Sequence, residues 1–189
     1  MIAVCLSDLR YAFAYNDRQA VKENLKAIFP DKSDRQIRGI RIHMFRNFAK
    51  YLVDFFRFSK LDIDYIRRNV KIQNQHYIDD ALKENKGVIT LTAHIGNWEL
   101  GGVIIALLGY PFWAVALPHK HKKINDFFNR QRKIKGINVI PLGNAVRRCL
   151  RLLEENKIVG LVGDRDFTEN GMVVDFLGKP TILPVGPAA

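Results

Sequence analysis

Between Gly87 and Val162 the sequence alternates. Apolar runs at residues 88–92, 112–117, 137–140 and 158–162 are separated by helix-like stretches near 97–108, 122–135 and 144–156. Glycines mark the joins at Gly87, Gly109, Gly136 and Gly143. A strand that returns through a helix pairs parallel to its predecessor, because only a long crossover brings the chain back to the same end. The pattern therefore predicts an α/β fold with a mainly parallel sheet and flanking helices. In such sheets ligands bind beyond the carboxyl ends of the strands. His94 lies just past the first run, and Asp164 and Asp166 lie just past the last. Parallel order sends both clusters to the same sheet edge.

The first third reads differently. Ser33 and Gln36 have capping-box spacing. After them, Ile37, Ile40, Met44, Phe45, Phe48, Leu52, Phe55 and Phe56 recur at helical intervals, which predicts one long amphipathic helix to about Phe58. Its aromatic end either packs in a core or touches a membrane or acyl chain. The chain is read as a single domain over 1–189, helical to about residue 68 and α/β from about 69.

Leu100 to Pro118 holds nineteen residues without a charge, which reaches the length of a membrane span. Gly101, Gly102, Gly109 and Pro111 interrupt it, so it reads as a buried helix, a turn and a buried strand. Lys and Arg outnumber Asp and Glu by 30 to 19, for a formal charge of +11. That excess favours anionic partners: nucleic acid, anionic lipid, phosphorylated substrates or an acidic carrier protein. No helix-turn-helix, zinc-finger or RNA-recognition signature accompanies it, and phosphate-loop and dinucleotide fingerprints are absent. Cys5 and Cys149 have no metal-type spacing. They suit a reducing environment, with Cys149 in a helical apolar pattern as core.

"HIGNWEL" at 94–100 carries the chemistry. His94 and Glu99 are five apart, about 140° on a straight helix. They meet only if His94 precedes the helix and Glu99 sits in its first turn, with Gly96 giving the bend and Asn97 the cap. A carboxylate on one ring nitrogen would fix the tautomer and leave the other nitrogen to accept a proton from a hydroxyl. His121 and Asp126 share the spacing but lie in a basic, surface-like stretch.

These residues resemble the catalytic block of the lipid A biosynthesis (lauroyl/myristoyl) acyltransferases, within the lysophospholipid acyltransferase superfamily. "NLKAIFPDKS", "HKKINDFFNRQRKIKGINVIP" and "GLVGDRDFTENGMVVDFLGKPTILPVGPAA" resemble further blocks of that family in the same order. Glu99, in place of Asp, resembles the lipid A branch, which includes phosphatidylinositol-mannoside acyltransferases, more than the glycerol-phosphate branch. Asp-Arg-Asp at 164–166 departs from the commoner Asp-Gln-Asp. Family members usually begin with an apolar anchor, of which Met1 to Leu6 resembles a tail, and continue past G-P-A. A fragment, or a chain shortened at both ends, is therefore expected.

The resemblance implies transfer of a fatty acyl chain from a thioester, on acyl carrier protein or coenzyme A, to a hydroxyl of a lipid A-type phosphoglycolipid. The alternative acceptor is a glycerolipid or a phosphatidylinositol mannoside, acylated from acyl-CoA. His94 is expected to be the base and Glu99 its orienting partner, with Asp164 near the dyad as a second carboxylate that orients His94 or the acceptor. The resemblance further implies direct attack without an acyl-enzyme, and the lack of a G-x-S-x-G elbow and of a cysteine at a strand end is consistent with that. Arg130 and Arg132 are expected to bind acceptor phosphate, Arg165 to pair with an acid or bind phosphate, and Asp166 to bind substrate or hold the local loop. Asn97 is expected at the substrate side. Trp98 is expected to pack. Gly171, Gly178, Pro180, Gly186 and Pro187 are expected to shape a turn and the acyl wall. No metal and no cofactor beyond the acyl donor is expected. An anionic membrane surface, at the cytoplasmic face of the inner membrane, is the expected location; nucleic acid is not an expected partner.

Overall fold

The computed structural model describes residues 2–166 and 171–186, with the side chain of Asn144 left aside. The chain forms two compact units, Met1–Phe55 with Val173–Thr181, and Phe56–Met172 with Ile182–Ala189.

The first unit holds three helices, α1 (Ile2–Phe13), α2 (Tyr15–Ile28) and α3 (Asp34–Phe56, whose last residue falls in the second unit). The capping box forms at α3: Ser33 Oγ accepts from the Gln36 amide at 3.3 Å, and Gln36 Oε1 accepts from the Ser33 amide at 2.9 Å. Arg46 grips Asp8 with two hydrogen bonds of 2.8 and 2.7 Å, tying α3 to α1. Tyr11 packs edge-on against Phe45, and its hydroxyl accepts from Arg41 at 2.9 Å. Leu25, Ile37 and Phe55 are buried.

The second unit carries α4 (Ile63–Asn69), α5 (His76–Lys83), β1 (Val88–Thr92), α6 (Trp98–Leu107), β2 (Phe112–Ala116), α7 (Lys122–Ile134), β3 (Asn138–Pro141), α8 (Ala145–Glu154) and β4 (Ile158–Val162). The four strands pair parallel in the order β1-β4-β2-β3. The alternation of the sequence thus yields the α/β parallel sheet it predicts, and the run from Leu100 divides into α6 and β2 rather than one long helix. Gly109 and Gly136 follow α6 and α7 with φ of +93° and +80°, the left-handed position that lets a helix end within one residue.

Right-handed crossovers place α6 and α7 on one face of this sheet and α8 on the other, because the first two connections run in one direction across the strands and the third runs back. On the α8 face Ile140, Leu152 and Val159 are fully buried, with Trp113, Val115, Cys149 and Leu153 packed around them. Cys149 therefore takes the core role its pattern suggests, and burial pushes its thiol pKa up. Phe58 is fully buried in this unit, while Phe56 is exposed and lies against Phe127 at 5.5 Å. Phe55 near the end of α3 and Phe58 just beyond it are thus both buried.

β5 (Met172–Phe176) and β6 (Lys179–Leu183) form a separate two-stranded sheet. Leu177 and Gly178 turn between them with φ of +55° and +74°, the tight turn that matches strand twist. The sequence reading gave this region a turn but no strands.

Candidate active site

The register of the sheet builds the site. β1 and β4 are neighbours, with Thr92 paired to Val162. His94 and Asp164 both lie two residues beyond that pair. Strands sit about 4.8 Å apart, so residues level with each other on adjacent parallel strands meet without any special bend. The Gly163 amide extends the ladder by donating to Thr92 at 2.9 Å.

Asp164 then takes hold of His94 twice. Its Oδ1 lies 2.8 Å from Nδ1 of the ring, and its Oδ2 accepts from the His94 amide at 2.9 Å. Partial burial pushes the Asp164 carboxyl up, but the hydrogen bonds and charge of His94 outweigh it, and the pKa falls below 3.8. An ionised carboxylate at Nδ1 makes that nitrogen the donor and leaves Nε2 as the acceptor. The Trp98 ring stands edge-on to the imidazole at 4.6 Å. Trp98 therefore packs, as expected, and what it packs against is the candidate base. The pair stays open to solvent, with side-chain exposures of 36% and 32%.

The bend after β1 also forms as anticipated. Gly96 has φ of +61°, where a side chain would be strained. Asn97 caps α6 by accepting the Leu100 amide at 3.0 Å. His94 thus precedes the helix and Glu99 occupies its first turn. Glu99 nevertheless engages Arg132 of α7, not His94. Arg132 Nε donates to Glu99 Oε2 at 3.0 Å, and its terminal nitrogen donates to the other carboxylate oxygen. This corrects two expectations. The carboxylate on His94 is that of Asp164, because strand register delivers it there. Arg132 is not exposed for a substrate phosphate, because it is buried in a bidentate pair, with side chains 10% and 11% exposed. Because α6 and α7 share a sheet face, the turn that carries Glu99 faces α7.

Asp166 holds its loop by accepting the Gly171 amide at 3.0 Å. A Cβ on Gly171 would lie 2.5 Å from the Leu183 carbonyl oxygen and 2.9 Å from Asp166 Oδ2, so only glycine fits there. Arg130 and Arg165 are exposed. Asp126 of the decoy motif pairs with the exposed Lys122 at 2.6 Å, so the acid of the second His-x4-Asp spacing is taken up by a surface lysine. Among the expected wall residues, Gly178 turns the hairpin and Pro180 lies in β6; Pro187 lies outside the described residues. No cluster of three metal-ligating side chains occurs among the described residues. The sequence offered two carboxylates for His94, Glu99 first and Asp164 second, and the second is the one that reaches it. The signal that decides between them, equal offsets from the ends of two strands, has force only once the strands are known to be neighbours.

The sequence matches the family described as bacterial lipid A biosynthesis acyltransferase over residues 5–189. It is 28% identical over 187 residues to a phosphatidylinositol mannoside acyltransferase of Mycolicibacterium smegmatis, covering 95% of this chain and 60% of that protein. To the protein of the same description from Mycobacterium tuberculosis it is 30% identical over 148 residues, 75% of this chain and 47% of the relative. A lipid A biosynthesis acyltransferase of Haemophilus influenzae is 20% identical over 166 residues, 87% of this chain and 52% of the relative. The chain thus spans roughly half of these relatives' lengths, and with a match from residue 5 to its last residue it belongs to the bacterial lipid A biosynthesis acyltransferase family.

Proposed function

We propose that this chain carries the catalytic centre of an O-acyltransferase that moves a fatty acyl group from a thioester to a hydroxyl of a membrane glycolipid. The observation that carries the reading is the hydrogen bond between His94 Nδ1 and Asp164, at the open carboxyl edge of a parallel sheet. Asp164 holds the ring so that Nε2 accepts the hydroxyl proton. The oxygen bonds to the thioester carbonyl carbon, and the C–S bond breaks. The proton passes from the imidazolium to the departing thiolate, giving an ester and a thiol. His94 is the base and Asp164 its orienting partner. The start of α6, just after Asn97, presents the positive end of a helix to the developing oxyanion. Glu99 and Arg132 act at one remove, by fixing α6 to α7.

The acceptor that fits best is a phosphatidylinositol mannoside, because the relatives of that description are more similar in sequence than the lipid A enzyme. A lipid A-type acceptor is the second reading, supported by the family match. Association with the membrane is peripheral in this proposal. Ile2, Leu6, Leu9 and Phe13 form an exposed apolar stripe along α1, suited to lie in a lipid interface. No helix among the described residues is long and apolar enough to cross a membrane.

The test is mass spectrometry of lipid products after the purified protein meets acyl thioesters and each acceptor class. Product should form with one acceptor class, and its rate should fall by about 10²-fold or more in His94→Ala and Asp164→Asn proteins of unchanged circular dichroism. Normal turnover in His94→Ala would overturn the mechanism.

A further inference from the structure

The solvent face of α8 is organised more than its core role requires. Its inner face fills the sheet core through Cys149 and Leu152. Outward it presents Arg147, Arg148 and Arg151, beside Val146 and Leu150, which are 74% and 58% exposed. The three arginines with Leu142, Gly143 and Val146 line a shallow concavity of about 520 Å³. None of the three forms an ion pair among the described residues, although Glu154 and Glu155 follow directly. The Arg148 guanidinium lies over the Trp113 ring, 5.0 Å from its centre, so one donor fork is already held in place. Three unopposed guanidiniums around a hollow suit phosphate, which each can bind with two parallel hydrogen bonds. A flat bilayer would meet a protruding surface more readily than a hollow one.

Position supplies the rest. Leu142 and Gly143 follow directly after β3, so the upper rim of the hollow stands at the carboxyl edge, the edge that holds His94. β3 and β1 are three strand spacings apart, about 14 Å. The extended arm between the phosphates and the sulfur of coenzyme A spans such a gap, and Val146 offers its aliphatic part an apolar wall. We propose that the arginine cluster of α8, with Leu142, Gly143 and Val146, docks the phosphate-bearing end of a coenzyme A thioester. This rests on the acyl-transfer reading of His94 and names the donor that reading leaves open.

The two tryptophans make the test direct. Trp98 reports on His94 and Trp113 on α8. In a Trp98→Phe protein, titration with coenzyme A should change Trp113 fluorescence saturably, and adenosine 3′,5′-bisphosphate should compete. An Arg147→Gln/Arg151→Gln double variant leaves Arg148 on Trp113 and should bind coenzyme A at least tenfold more weakly, with an unchanged thermal melt. If that variant misfolds, Arg147→Lys/Arg151→Lys keeps the charge, removes the bidentate fork and should still weaken binding measurably. In a turnover assay the acyl-CoA KM should rise about tenfold with little change in kcat. Coenzyme A affinity unaltered by the substitutions overturns the proposal. So does their loss of binding only to phosphatidylglycerol vesicles or to acyl carrier protein. Arginine-dependent coenzyme A binding without any acyl transfer would instead count against the function proposed for His94 and leave this subsite standing.

Discussion

Two acid–base pairs of similar local appearance stand near the start of α6, and they serve opposite ends. Asp164 and His94 meet at the sheet edge with about a third of each side chain exposed. Glu99 and Arg132 meet between helices with about a tenth exposed. An open pair can admit a hydroxyl and exchange a proton with it. A closed pair cannot, and its bidentate geometry serves to fix one helix on another. On the proposed mechanism, the pair worth most to chemistry is the one worth less to stability.

The largest effect should come from His94→Ala. Loss of the base should lower kcat by about 10²–10⁴-fold, with no change in the unfolding midpoint beyond that of an exposed substitution. A fall in stability as large as the fall in rate would erase the contrast between the pairs. Arg132→Ala should do the reverse, costing about 3–5 kcal/mol in denaturant unfolding by leaving Glu99 charged and buried. Replacing both partners with Met and Leu should recover most of that stability. If it also restores turnover, Glu99 acts only through the fold; if turnover stays low, the α6–α7 clamp also positions His94.

Asp164→Asn should keep the fold and lower kcat about 10²-fold, by permitting the wrong histidine tautomer. The Asp164 pKa sharpens the same point. It is depressed in the folded protein, so its contribution to stability is complete above the ordinary carboxylate value and is lost as pH falls through the folded value. Carboxyl NMR should show Asp164 titrating below an ordinary aspartate, and the Asn variant should lack that segment of the acid unfolding curve. The smallest effect belongs to Asn97→Ala, which removes the α6 cap between the two pairs. It should cost about 1 kcal/mol, measured by thermal unfolding.

Much of this was legible along the chain. The strands and helices between Gly87 and Val162 fall within a residue or two of where the apolar runs and glycines put them. The capping box at Ser33, the Asn97 cap and the Gly96 bend form as read, because each depends on groups three or four residues apart. The fate of Glu99 was not legible. Its partner is thirty-three residues away on α7, and only the packing of α6 and α7 on one face makes the contact. The β5–β6 hairpin escaped for a related reason: Met172, Val173, Phe176 and Ile182 are largely exposed, so no in–out alternation marks it as a strand pair.

By itself the sequence determined that His94 would stand at the carboxyl edge of a parallel sheet, because crossover helices force parallel pairing and a strand must end where its apolar run ends. The tertiary structure alone decided which acid would hold it. Strand order is set by how helices cover the two sheet faces, and once β4 lies beside β1 the equal offsets of His94 and Asp164 from their strand ends bring ring and carboxylate together.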